Sequence, residues 1–523
     1  MPATMDSVQE RKNSTLICAS IMAGSIDTVI ADVRKAKDAG ADLVEVRLDF
    51  FKSPIVDPRS TLETILQSSV LPVLFAYRPT WEGGEYDGNE EERLNVLRLA
   101  MELGANYIDI ELKASREFID SIIAKKNPAC KVIISSHDYE NTPSVEELDI
   151  LVSKVRETGA DIVKIATTAV DITDSARIFH IMADSQIPII AMAMGERGMI
   201  TRVLCAKYGS YLTYGILEPG TACGPGQPTI KDLLELYNFR SIGSDTKVFG
   251  IIGKPVGHSK SPVLYNTSFK SLGFNGVYVH LLVDDLPLFL QTFSSADFSG
   301  FSCTIPHKEI AVKCCDIVDP VARAIGAVNC IIRNHQDGKL YGYNTDYVGA
   351  ITAIEDGLRA SQQHGAEDSP LNGKQFVVIG AGGAGKALAY GAKEKGARVV
   401  IANRTYERAK EVADLVGGDA LTLRELMEFE GEGGMILANT TSIGMQPRVE
   451  ETPIPKDALK HYELVFDAVY TPKMTTLLRE AEECRCAVVT GSEMFVGQAL
   501  EQFERFTGLP APKELFKSTM MKY

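Results

Sequence analysis

A lysine inside an apolar segment is the first feature of this 523-residue chain that suggests chemistry. Lys164 stands in the segment DIVKIATT, with Ile162, Val163, Ile165 and Ala166 around it. An ammonium group is costly to desolvate, so an apolar setting favours the neutral amine. A neutral amine can attack a carbonyl carbon and form a Schiff base. We therefore expect Lys164 to act as a nucleophile toward a ketone or an aldehyde.

Other polar side chains stand at the ends of similar segments in the first 238 residues. His137 ends the segment KVIISSHD, and a histidine can move protons near neutral pH. Taken alone, Lys164 is more simply a lysine that reaches solvent, and His137 a hydrogen-bonded core histidine. Three arginines in similar positions favour an anionic ligand such as a carboxylate, and with them we expect catalysis. The polar residues at segment ends or in the following loops are Glu45, Arg47, Asp49, Arg78, Glu82, Arg202 and Gln227.

Eight short segments rich in β-branched residues must position these side chains. They are TLICASI from Thr15, DLVEVRLD from Asp42, PVLFAYR from Pro72, NYIDIEL from Asn106, KVIISSHD from Lys131, DIVKIATT from Asp161, PIIAMAMG from Pro188 and YLTYGIL from Tyr211. Helix-like segments with apolar residues at helical spacing separate them. Eight such units predict a closed (β/α)₈ barrel rather than an open sheet. The strand ends of a barrel meet at one rim, so these polar residues should face one mouth.

A glycine-rich turn marks a second kind of site further along the chain. The segment VVIGAGGAGKALA has the G-x-G-x-x-G pattern between a strand and a helix, which suits a dinucleotide pyrophosphate. The next strand, RVVIANRT, ends without the acidic residue that binds the ribose of NAD, and basic groups there favour the 2′-phosphate of NADP(H). The residues of this prediction are Gly380, Gly382, Gly383, Gly385, Asn403, Arg404, Thr405 and Arg408.

Three further segments of the second half carry polar residues suited to redox chemistry on a small acid. Lys308 in FSCTIPHK and Asp346 in GYNTDYVG could share a proton and serve an alcohol–ketone couple as acid and base. Ser259 and Ser261 in GHSKSP suit a small polar acid as hydrogen-bond partners. Each charged residue alone is more simply a surface charge, so the spacing by itself leaves both interpretations open.

Composition restricts the class of protein and its partners. A formal charge of −15 opposes binding to nucleic acid or to an anionic membrane surface. No apolar run approaches the roughly 20 residues that span a bilayer. The ten cysteines lack C-x-x-C spacing, which suits a reducing compartment and gives no zinc or redox motif. The first residues have neither a signal-peptide core nor the composition of a transit peptide. We expect a soluble intracellular protein.

The motifs of the first 238 residues resemble type I 3-dehydroquinate dehydratase. They are, in order, EVRLDF, FAYRPTWEGG, SSHD, VKIA, ITRV and PGQPT. The resemblance implies that Lys164 forms the imine with 3-dehydroquinate, while His137 removes the C2 proton and helps water leave, assisted by Glu82. It also implies that Arg202 and Gln227 hold the carboxylate and nearby hydroxyls. Glu45, Arg47 and Arg78 would orient the ring.

One pair of residues departs from that family. Cys223 and Gly224 stand where the family usually has Ser-Ala before PGQ. A thiol is a weaker hydrogen-bond donor than a hydroxyl, so we expect weaker closure of this loop over substrate with the imine chemistry retained.

The motifs from residue 247 onward resemble shikimate dehydrogenase. They are GHSKSP, TIPHK, GAVN, YNTDYVG, GAGGAG, NRT, FDAVYTP and GSEMFVGQA. The resemblance implies a catalytic pair, Lys308 and Asp346. It implies that the carboxylate is bound by Ser259, Ser261 and Tyr470, the ring hydroxyls by Thr304, Asn329 and Gln498, and the nicotinamide side by Thr441, Ser442 and Gly491. Cys330 departs from the family, which often has Thr after the Asn of GAVN.

Nearly the whole chain therefore resembles the plant-type bifunctional 3-dehydroquinate dehydratase/shikimate dehydrogenases. The fold expected is α/β, with these domains: a (β/α)₈ TIM barrel at 14–238, a linker at 239–246, a substrate-binding domain at 247–345, a Rossmann NADP-binding domain at 346–490, and C-terminal helices at 491–523 that pack back on the substrate domain. No metal is expected, because the imine serves as the electron sink.

The resemblance also carries expectations about substrates, assembly and location. The small-molecule partners expected are 3-dehydroquinate, 3-dehydroshikimate and shikimate, with neither nucleic acid nor membrane, and the protein is expected to be a monomer. The family implies the plastid stroma, but this chain shows no transit peptide, so we expect a cytosolic or leader-trimmed form.

Two other functions fit the same motifs. A quinate dehydrogenase, or a variant that oxidises dehydroshikimate toward gallate, differs in what its substrate pocket admits. Quinate has an extra hydroxyl beside its carboxylate, which a smaller residue at the second serine would accommodate, so Ser261 favours shikimate. A quinate-sensing regulator built from the same domains need not keep Lys164, His137, Lys308 and Asp346, all of which are present.

Overall fold

The computed structural model describes residues 12–51, 55–220, 226–361, 368–429 and 431–522. Two compact units divide the chain. The first contains the chain up to Gly250 with Pro255–Pro262 and Phe269–Asp297, and the second contains Ile251–Lys254, Val263–Ser268 and the chain from Phe298 onward.

Eight parallel strands form a nearly closed barrel in the first unit. They are β1 (Leu16–Ile21), β2 (Leu43–Arg47), β3 (Val73–Ala76), β4 (Tyr107–Glu111), β5 (Lys131–His137), β6 (Ile162–Thr168), β7 (Ile189–Met194) and β8 (Leu212–Gly215). Their order is β7-β6-β5-β4-β3-β2-β1-β8. The amide of Tyr211 donates to the carbonyl of Ile189 across 2.7 Å, where β7 and β8 meet. All eight predicted strands, and the barrel, are confirmed.

In the described part of the barrel, seven α-helices follow the strands. They are α1 (Ile26–Asp38), α2 (Pro58–Ser68), α3 (Glu90–Glu102), α4 (Arg116–Lys125), α5 (Val145–Arg156), α6 (Asp174–Asp184) and α7 (Met199–Val203). Side-chain oxygens cap several of their first turns, and at α5 Ser144 and Glu147 form a reciprocal capping box. Across the described residues, no helix is both long and apolar enough to cross a membrane.

Strand alternation decides which side chains reach the barrel interior. Ile162 and Ala166 belong to a buried cluster with residues from β1, β2, β3, β5, β7 and β8, which identifies the inward face of β6. Successive side chains of a strand point to opposite sides, so Lys164 shares that inward face. The apolar neighbours Val163 and Ile165 face the other way. The lysine is therefore surrounded by the barrel interior and not by its neighbours in sequence.

Twelve strands follow the barrel among the residues that the structure describes. They are β9 (Lys247–Gly253), β10 (Gly276–Leu282), β11 (Phe298–Cys303), β12 (Ile317–Val318), β13 (Cys330–Arg333), β14 (Leu340–Tyr343), β15 (Gln375–Ile379), β16 (Arg398–Asn403), β17 (Asp419–Thr422), β18 (Met435–Asn439), β19 (Tyr462–Asp467) and β20 (Ala487–Val489). They form two six-stranded sheets, with the orders β10-β9-β11-β13-β14-β12 and β17-β16-β15-β18-β19-β20.

Within the described ranges, eleven α-helices accompany these sheets. They are α8 (Ser261–Leu272), α9 (Leu286–Thr292), α10 (Ala311–Cys314), α11 (Pro320–Ile325), α12 (Asp346–Ser361), α13 (Gly383–Glu394), α14 (Tyr406–Val416), α15 (Leu423–Met427), α16 (Thr476–Glu483), α17 (Gly491–Thr507) and α18 (Lys513–Met520).

The last sheet is parallel and has buried side chains on both faces. Phe376 and Val378 of β15 enter one apolar cluster, and Val377 and Ile379 enter another. A parallel sheet covered on both faces is typical of doubly wound nucleotide-binding folds. The strand order reverses at β15, which pairs with β16 on one side and β18 on the other. Ligands bind such sheets beyond the carboxyl ends of the strands at this reversal.

Candidate active sites

A cavity inside the barrel collects most of the polar residues that the sequence singled out. Residues of five strands, of three loops and of α7 line it. They are Glu45, Arg47, Arg78, His137, Tyr139, Lys164, Ala166, Met192, Met194, Arg202, Tyr214 and Gln227. Strand ends far apart in sequence meet here because the parallel strands close around one interior.

Lys164 is paired with two carboxylates in this cavity. Its Nζ lies 2.7 Å from Asp109 Oδ2 and 3.2 Å from Glu45 Oε1, and the residue is 4% exposed. Burial alone would lower the pKa of Lys164, but the two carboxylates outweigh it and hold the pKa above its usual value. The expectation that an apolar setting keeps this amine neutral is therefore wrong. The resting lysine is an ammonium group.

Asp109 belongs to a buried ionic network. Its Oδ2 lies 2.7 Å from Arg78 Nη2, and its Oδ1 accepts from the Ser135 hydroxyl at 2.5 Å. Arg78 Nη1 also contacts Glu111 Oε1 at 2.5 Å. Burial opposes ionisation of Asp109, but Arg78 and Lys164 outweigh burial and hold its pKa well below the usual range. Arg78 was expected to contact the substrate ring, and in this structure its guanidinium binds carboxylates of the protein.

Asp109 and Glu111 are site residues that the sequence reasoning missed. Both lie in the segment YIDIE of β4 at alternate positions, and both are fully buried. Two acidic residues on one face of an otherwise apolar strand could have indicated a buried ionic site from the sequence, because buried carboxylates need cationic partners.

His137 is held by Glu82. The His137 amide donates to Glu82 Oε1 at 2.8 Å, and His137 Nδ1 lies 3.5 Å from the same oxygen. Burial, with the charges of Arg78 and Lys164, lowers the pKa of His137 well below its usual value. Burial also raises the pKa of Glu82. The neutral imidazole that results can accept a proton.

The remaining residues predicted for the barrel site differ in their contacts. Arg47 makes a bidentate pair with Asp49, with Nε 2.9 Å and Nη2 2.6 Å from its two carboxylate oxygens. Arg202 Nη1 lies 3.1 Å from Met192 Sδ, and Gln227 Nε2 donates to the Ser20 hydroxyl at 3.3 Å. The Cys223-Gly224 departure lies outside the described residues.

Lys308 and Asp346 come together in the second compact unit. Lys308 Nζ lies 2.5 Å from Asp346 Oδ2, and Asp346 is 4% exposed. Asp346 is the first residue of α12, and its amide donates to the side chain of Asn344. The pair can therefore exchange a proton with a bound alcohol or ketone.

A hydrogen-bonded cluster lies in the same unit. Asn329 Nδ2 donates to the Thr345 hydroxyl at 3.0 Å, and the Thr345 amide returns a hydrogen bond of 2.7 Å to Asn329. Gln502 Nε2 donates to Gln498 Oε1 at 2.7 Å and to the Asn329 carbonyl at 3.2 Å. The sequence reasoning missed Gln502, although Gln498 and Gln502 are spaced i, i+4 on α17 and so share one face.

The other residues predicted to bind or adjoin the dehydrogenase substrate make different contacts from one another. Thr304 follows β11, and its amide donates to Ile252. Tyr470 stacks on Phe495 with ring centroids 4.8 Å apart. Ser259 and Ser261 belong to the first compact unit, where their hydroxyls lie 3.2 Å apart. Cys330 is fully buried on β13.

The glycine-rich turn has the shape that a dinucleotide requires. Gly380 has φ +111°, a backbone conformation that favours glycine, and a Cβ on Gly385 would lie 2.1 Å from the Gly380 carbonyl oxygen. A Cβ on Gly382 would meet open space. Gly383 begins α13, and a Cβ there would lie 3.1 Å from Lys308 Cβ. The helix start suits a pyrophosphate and is directly beside the catalytic candidate Lys308.

Exposed basic residues follow the second strand of this fold. Asn403 ends β16, and Arg404, Thr405 and Arg408 are exposed beyond it. Arg408 Nη2 lies 3.3 Å from Glu309 Oε1. Exposed guanidinium groups at this position fit the 2′-phosphate of NADP(H).

Asn439 and Asp467 fix two loops beyond the sheet. Asn439 accepts from the Thr441 hydroxyl at 2.7 Å and donates to Asp467 at 3.0 Å, while Asp467 accepts from the Val469 amide at 3.0 Å. Burial raises the pKa of Asp467 to about 6. Thr441 and the exposed Ser442 lie in the first loop. Gly491 is the third residue expected to line the nicotinamide. A Cβ on Gly491 would lie 2.6 Å from the Ala468 carbonyl oxygen.

The fold and the two sites define an α/β chain in which a lysine-bearing barrel precedes a dinucleotide-binding half. Four family models match it in series: type I 3-dehydroquinase at 17–244, the shikimate dehydrogenase substrate-binding domain at 251–331, shikimate/quinate 5-dehydrogenase at 361–484, and the shikimate 5′-dehydrogenase C-terminal domain at 491–521.

Three relatives are compared with the chain, one over nearly its whole length and two over about half of it. The chain is 65% identical over 515 residues to the chloroplastic bifunctional 3-dehydroquinate dehydratase/shikimate dehydrogenase of Arabidopsis thaliana, covering 98% of this chain and 85% of that one. It is 36% identical to a shikimate dehydrogenase (NADP(+)) of Bacillus cereus, over 53% of this chain and 98% of that one. A Thermus thermophilus shikimate 5-dehydrogenase structure is 33% identical, with a TM-score of 0.45, covering 53% of this chain and 99% of that one. The chain belongs to the bifunctional 3-dehydroquinate dehydratase/shikimate dehydrogenase family.

Proposed function

We propose that this chain catalyses two successive reactions. The barrel dehydrates 3-dehydroquinate to 3-dehydroshikimate, and the second half reduces 3-dehydroshikimate to shikimate with NADPH. One observation carries the proposal: a single chain contains both the Lys164 cavity and the Lys308–Asp346 pair beside a glycine-rich turn. The whole-length relative from Arabidopsis carries both activities in its name.

Lys164 begins the first reaction as an ammonium group. Attack on the ketone requires the free amine, so one proton must leave the nitrogen first. The neutral His137 in the same cavity can accept it and return it to the ketone oxygen. The ammonium and the ketone together contain the atoms of a protonated imine and one water. The carboxylates of Asp109 and Glu45 then face the positive charge of that imine.

His137 is proposed to carry the protons of the elimination. As a neutral base it takes the C2 proton, and the electrons of that bond move toward the imine, which serves as electron sink. The protonated imidazole then gives its proton to the leaving hydroxyl, which departs as water. Glu82 Oε1 accepts from the His137 backbone amide and lies 3.5 Å from Nδ1, which positions the imidazole.

The other cavity residues are proposed to bind and orient the substrate. Arg202 and Gln227 hold the carboxylate and nearby hydroxyls, and Glu45 and Arg47 orient the ring. Arg78 contributes through the Asp109 carboxylate that it binds. We propose that the protein works as a monomer.

The second reaction needs a hydride and a proton. NADPH supplies the hydride when bound. The Lys308–Asp346 pair delivers the proton to the developing alkoxide. The pair then takes up another proton from solvent. We propose that Thr304, Asn329 and Gln498 bind the ring hydroxyls. The carboxylate is proposed to be bound by Ser259, Ser261 and Tyr470.

Three groups of residues are proposed to hold NADP(H). The first is the glycine-rich turn, whose geometry leaves room for the pyrophosphate. The second is the set of polar and basic residues after β16, which is proposed to bind the 2′-phosphate. The third lines the nicotinamide. In this order the residues are Gly380, Gly382, Gly383 and Gly385; Asn403, Arg404, Thr405 and Arg408; and Thr441, Ser442 and Gly491. The name of the Bacillus cereus relative supports NADP over NAD.

A coupled assay tests the function. The purified chain, given 3-dehydroquinate and NADPH, should oxidise NADPH and accumulate shikimate. NADP⁺ reduction should be faster with shikimate than with quinate, and a preference for quinate would make the chain a quinate dehydrogenase. Ligand binding without turnover in both half-reactions would make it a regulator. The name of the Arabidopsis relative supports a plastid location, which imaging of a fluorescently tagged protein in cells would test.

A further inference from the structure

Tyr214 carries a buried hydroxyl that the proposed mechanism leaves unused. It lies on β8, faces the barrel interior and lines the Lys164 cavity, with 4% of the residue exposed. Its hydroxyl oxygen has no hydrogen-bond partner among the described residues. Other tyrosines of the barrel differ: the Tyr107 hydroxyl lies 2.9 Å from that of Tyr211, and the Tyr139 hydroxyl donates to the Glu82 carbonyl at 3.3 Å.

An unpaired hydroxyl in this position destabilises the resting protein. Folding removes the group from water without giving it a partner, whereas a phenylalanine would bury the same ring without that loss. No described group of the protein pairs with this hydroxyl, so an oxygen or nitrogen atom of a ligand in the cavity can supply its partner. This points to a role in the complex and not in the fold.

The position of the ring indicates which ligand atom the hydroxyl meets. Lys164 Nζ lies 4.7 Å from the centroid of the Tyr214 ring, on its face. The phenol is thus beside the atom that forms the bond to substrate. Burial and the nearby Glu45 raise the pKa of Tyr214 well above its usual value, so the phenol stays protonated and can donate.

We propose that the Tyr214 hydroxyl donates a hydrogen bond to the oxygen of the ketone that Lys164 attacks. The inference rests on the proposed dehydratase function and assigns a catalytic contact within it. As the bond from Nζ to carbon forms, the π electrons of the carbonyl move onto oxygen. A donor at that oxygen stabilises the developing negative charge. Tyr214 keeps its own proton in this step.

Y214F tests the proposal, because it removes the hydroxyl and keeps the ring. In rapid-quench experiments with 3-dehydroquinate and borohydride, the variant should form the trapped Lys164 adduct about tenfold more slowly at saturating substrate. The melting temperature without ligand should equal or exceed that of the wild type. Shikimate dehydrogenase activity in the same chain should stay at the wild-type level.

Y107F is the matched control. It removes a paired barrel hydroxyl at the start of β4, so it should lower the melting temperature and leave the rate of adduct formation unchanged. Wild-type adduct formation by Y214F would overturn the proposal. So would a rise in KM with an unchanged saturating rate, since the hydroxyl would then bind another substrate oxygen. A lower melting temperature of Y214F without ligand would also overturn it.

The proposed function fails in a different way. If the wild-type chain forms no borohydride-trapped adduct at Lys164, the imine mechanism is wrong whatever Tyr214 does. If the wild type forms the adduct and Y214F forms it equally fast, only the Tyr214 contact is wrong.

Discussion

Lys164 Nζ lies 2.7 Å from Asp109 Oδ2, and both side chains are buried inside the barrel. This pair makes the nucleophile of the proposed reaction a cation at rest. A buried ion pair of this kind is costly to break from one side, because the remaining charge then lacks a partner. Forming an imine keeps one positive charge opposite Asp109.

Removing the Asp109 charge should change the pH at which Lys164 reacts. In D109N the pKa of Lys164 should fall, because the carboxylate that favours its ammonium form is lost. The rate of adduct formation with 3-dehydroquinate should reach half its maximum about one pH unit lower than in the wild type. An unmoved pH profile would contradict the account.

D161N is the control for that substitution. Asp161 pairs with Lys126 at 2.5 Å and lies just before β6, outside the cavity. The D161N substitution therefore removes a carboxylate near the same strand that does not contact Lys164. The pH profile of adduct formation should match that of the wild type.

Asp346 should matter for only one of the two reactions. In D346N the partner of Lys308 is lost, so the dehydrogenase kcat should fall by about 10²- to 10⁴-fold, the usual contribution of an acid–base group. Dehydratase activity should not change. D356N alters an exposed residue of the same helix, α12, and should leave both rates alone. Equal losses in both reactions would instead indicate a folding defect.

Arg404 should affect the choice of cofactor. R404A removes an exposed guanidinium beyond β16, so KM for NADP⁺ should rise about tenfold while KM for NAD⁺ changes little. R398A is the control, since Arg398 begins the same strand and pairs with Glu432. If R404A and R398A change KM for NADP⁺ equally, Arg404 does not bind the 2′-phosphate.

Asp467 should make stability depend on pH. Its pKa is about 6 in the folded protein against 3.8 as a free group, so the folded state favours the protonated form. The charged form therefore destabilises the fold: the destabilisation is absent below about pH 4 and complete above about pH 6, where it amounts to roughly 3 kcal/mol.

D467N removes this titration. Relative to the wild type, the urea midpoint of the variant should rise as pH increases from 4 to 7, reported by the loss of dehydrogenase activity on unfolding. A constant difference between variant and wild type over that range would contradict the assignment.

The fold could be predicted in detail because its signals are local. Each barrel strand is a short β-branched run followed by a helix-like segment, and the glycine-rich turn between β15 and α13 is contiguous in sequence. The sequence motifs also predict the Lys308–Asp346 pair, although their spacing alone does not require it. In each of these cases a short motif carries the information.

The charge state of Lys164 could not be predicted, because its partners come from other strands. Asp109 lies on β4 and Lys164 on β6, and β5 pairs with both. Their contact depends on the tilt and register of three strands, which no local pattern gives. The apolar neighbours in the segment IVKIA face away from the lysine or lie above and below it. The Tyr214 hydroxyl was missed for the same reason, since only the closed barrel shows that it lacks a partner.

The most direct test of the central claim is borohydride reduction of the chain in the presence of 3-dehydroquinate, followed by peptide mass mapping. We predict one substrate-derived adduct, located on Lys164 in the segment DIVKIATT, and none in a K164A variant that keeps its dehydrogenase activity. An adduct on another lysine, or dehydration without any trapped adduct, would contradict the account.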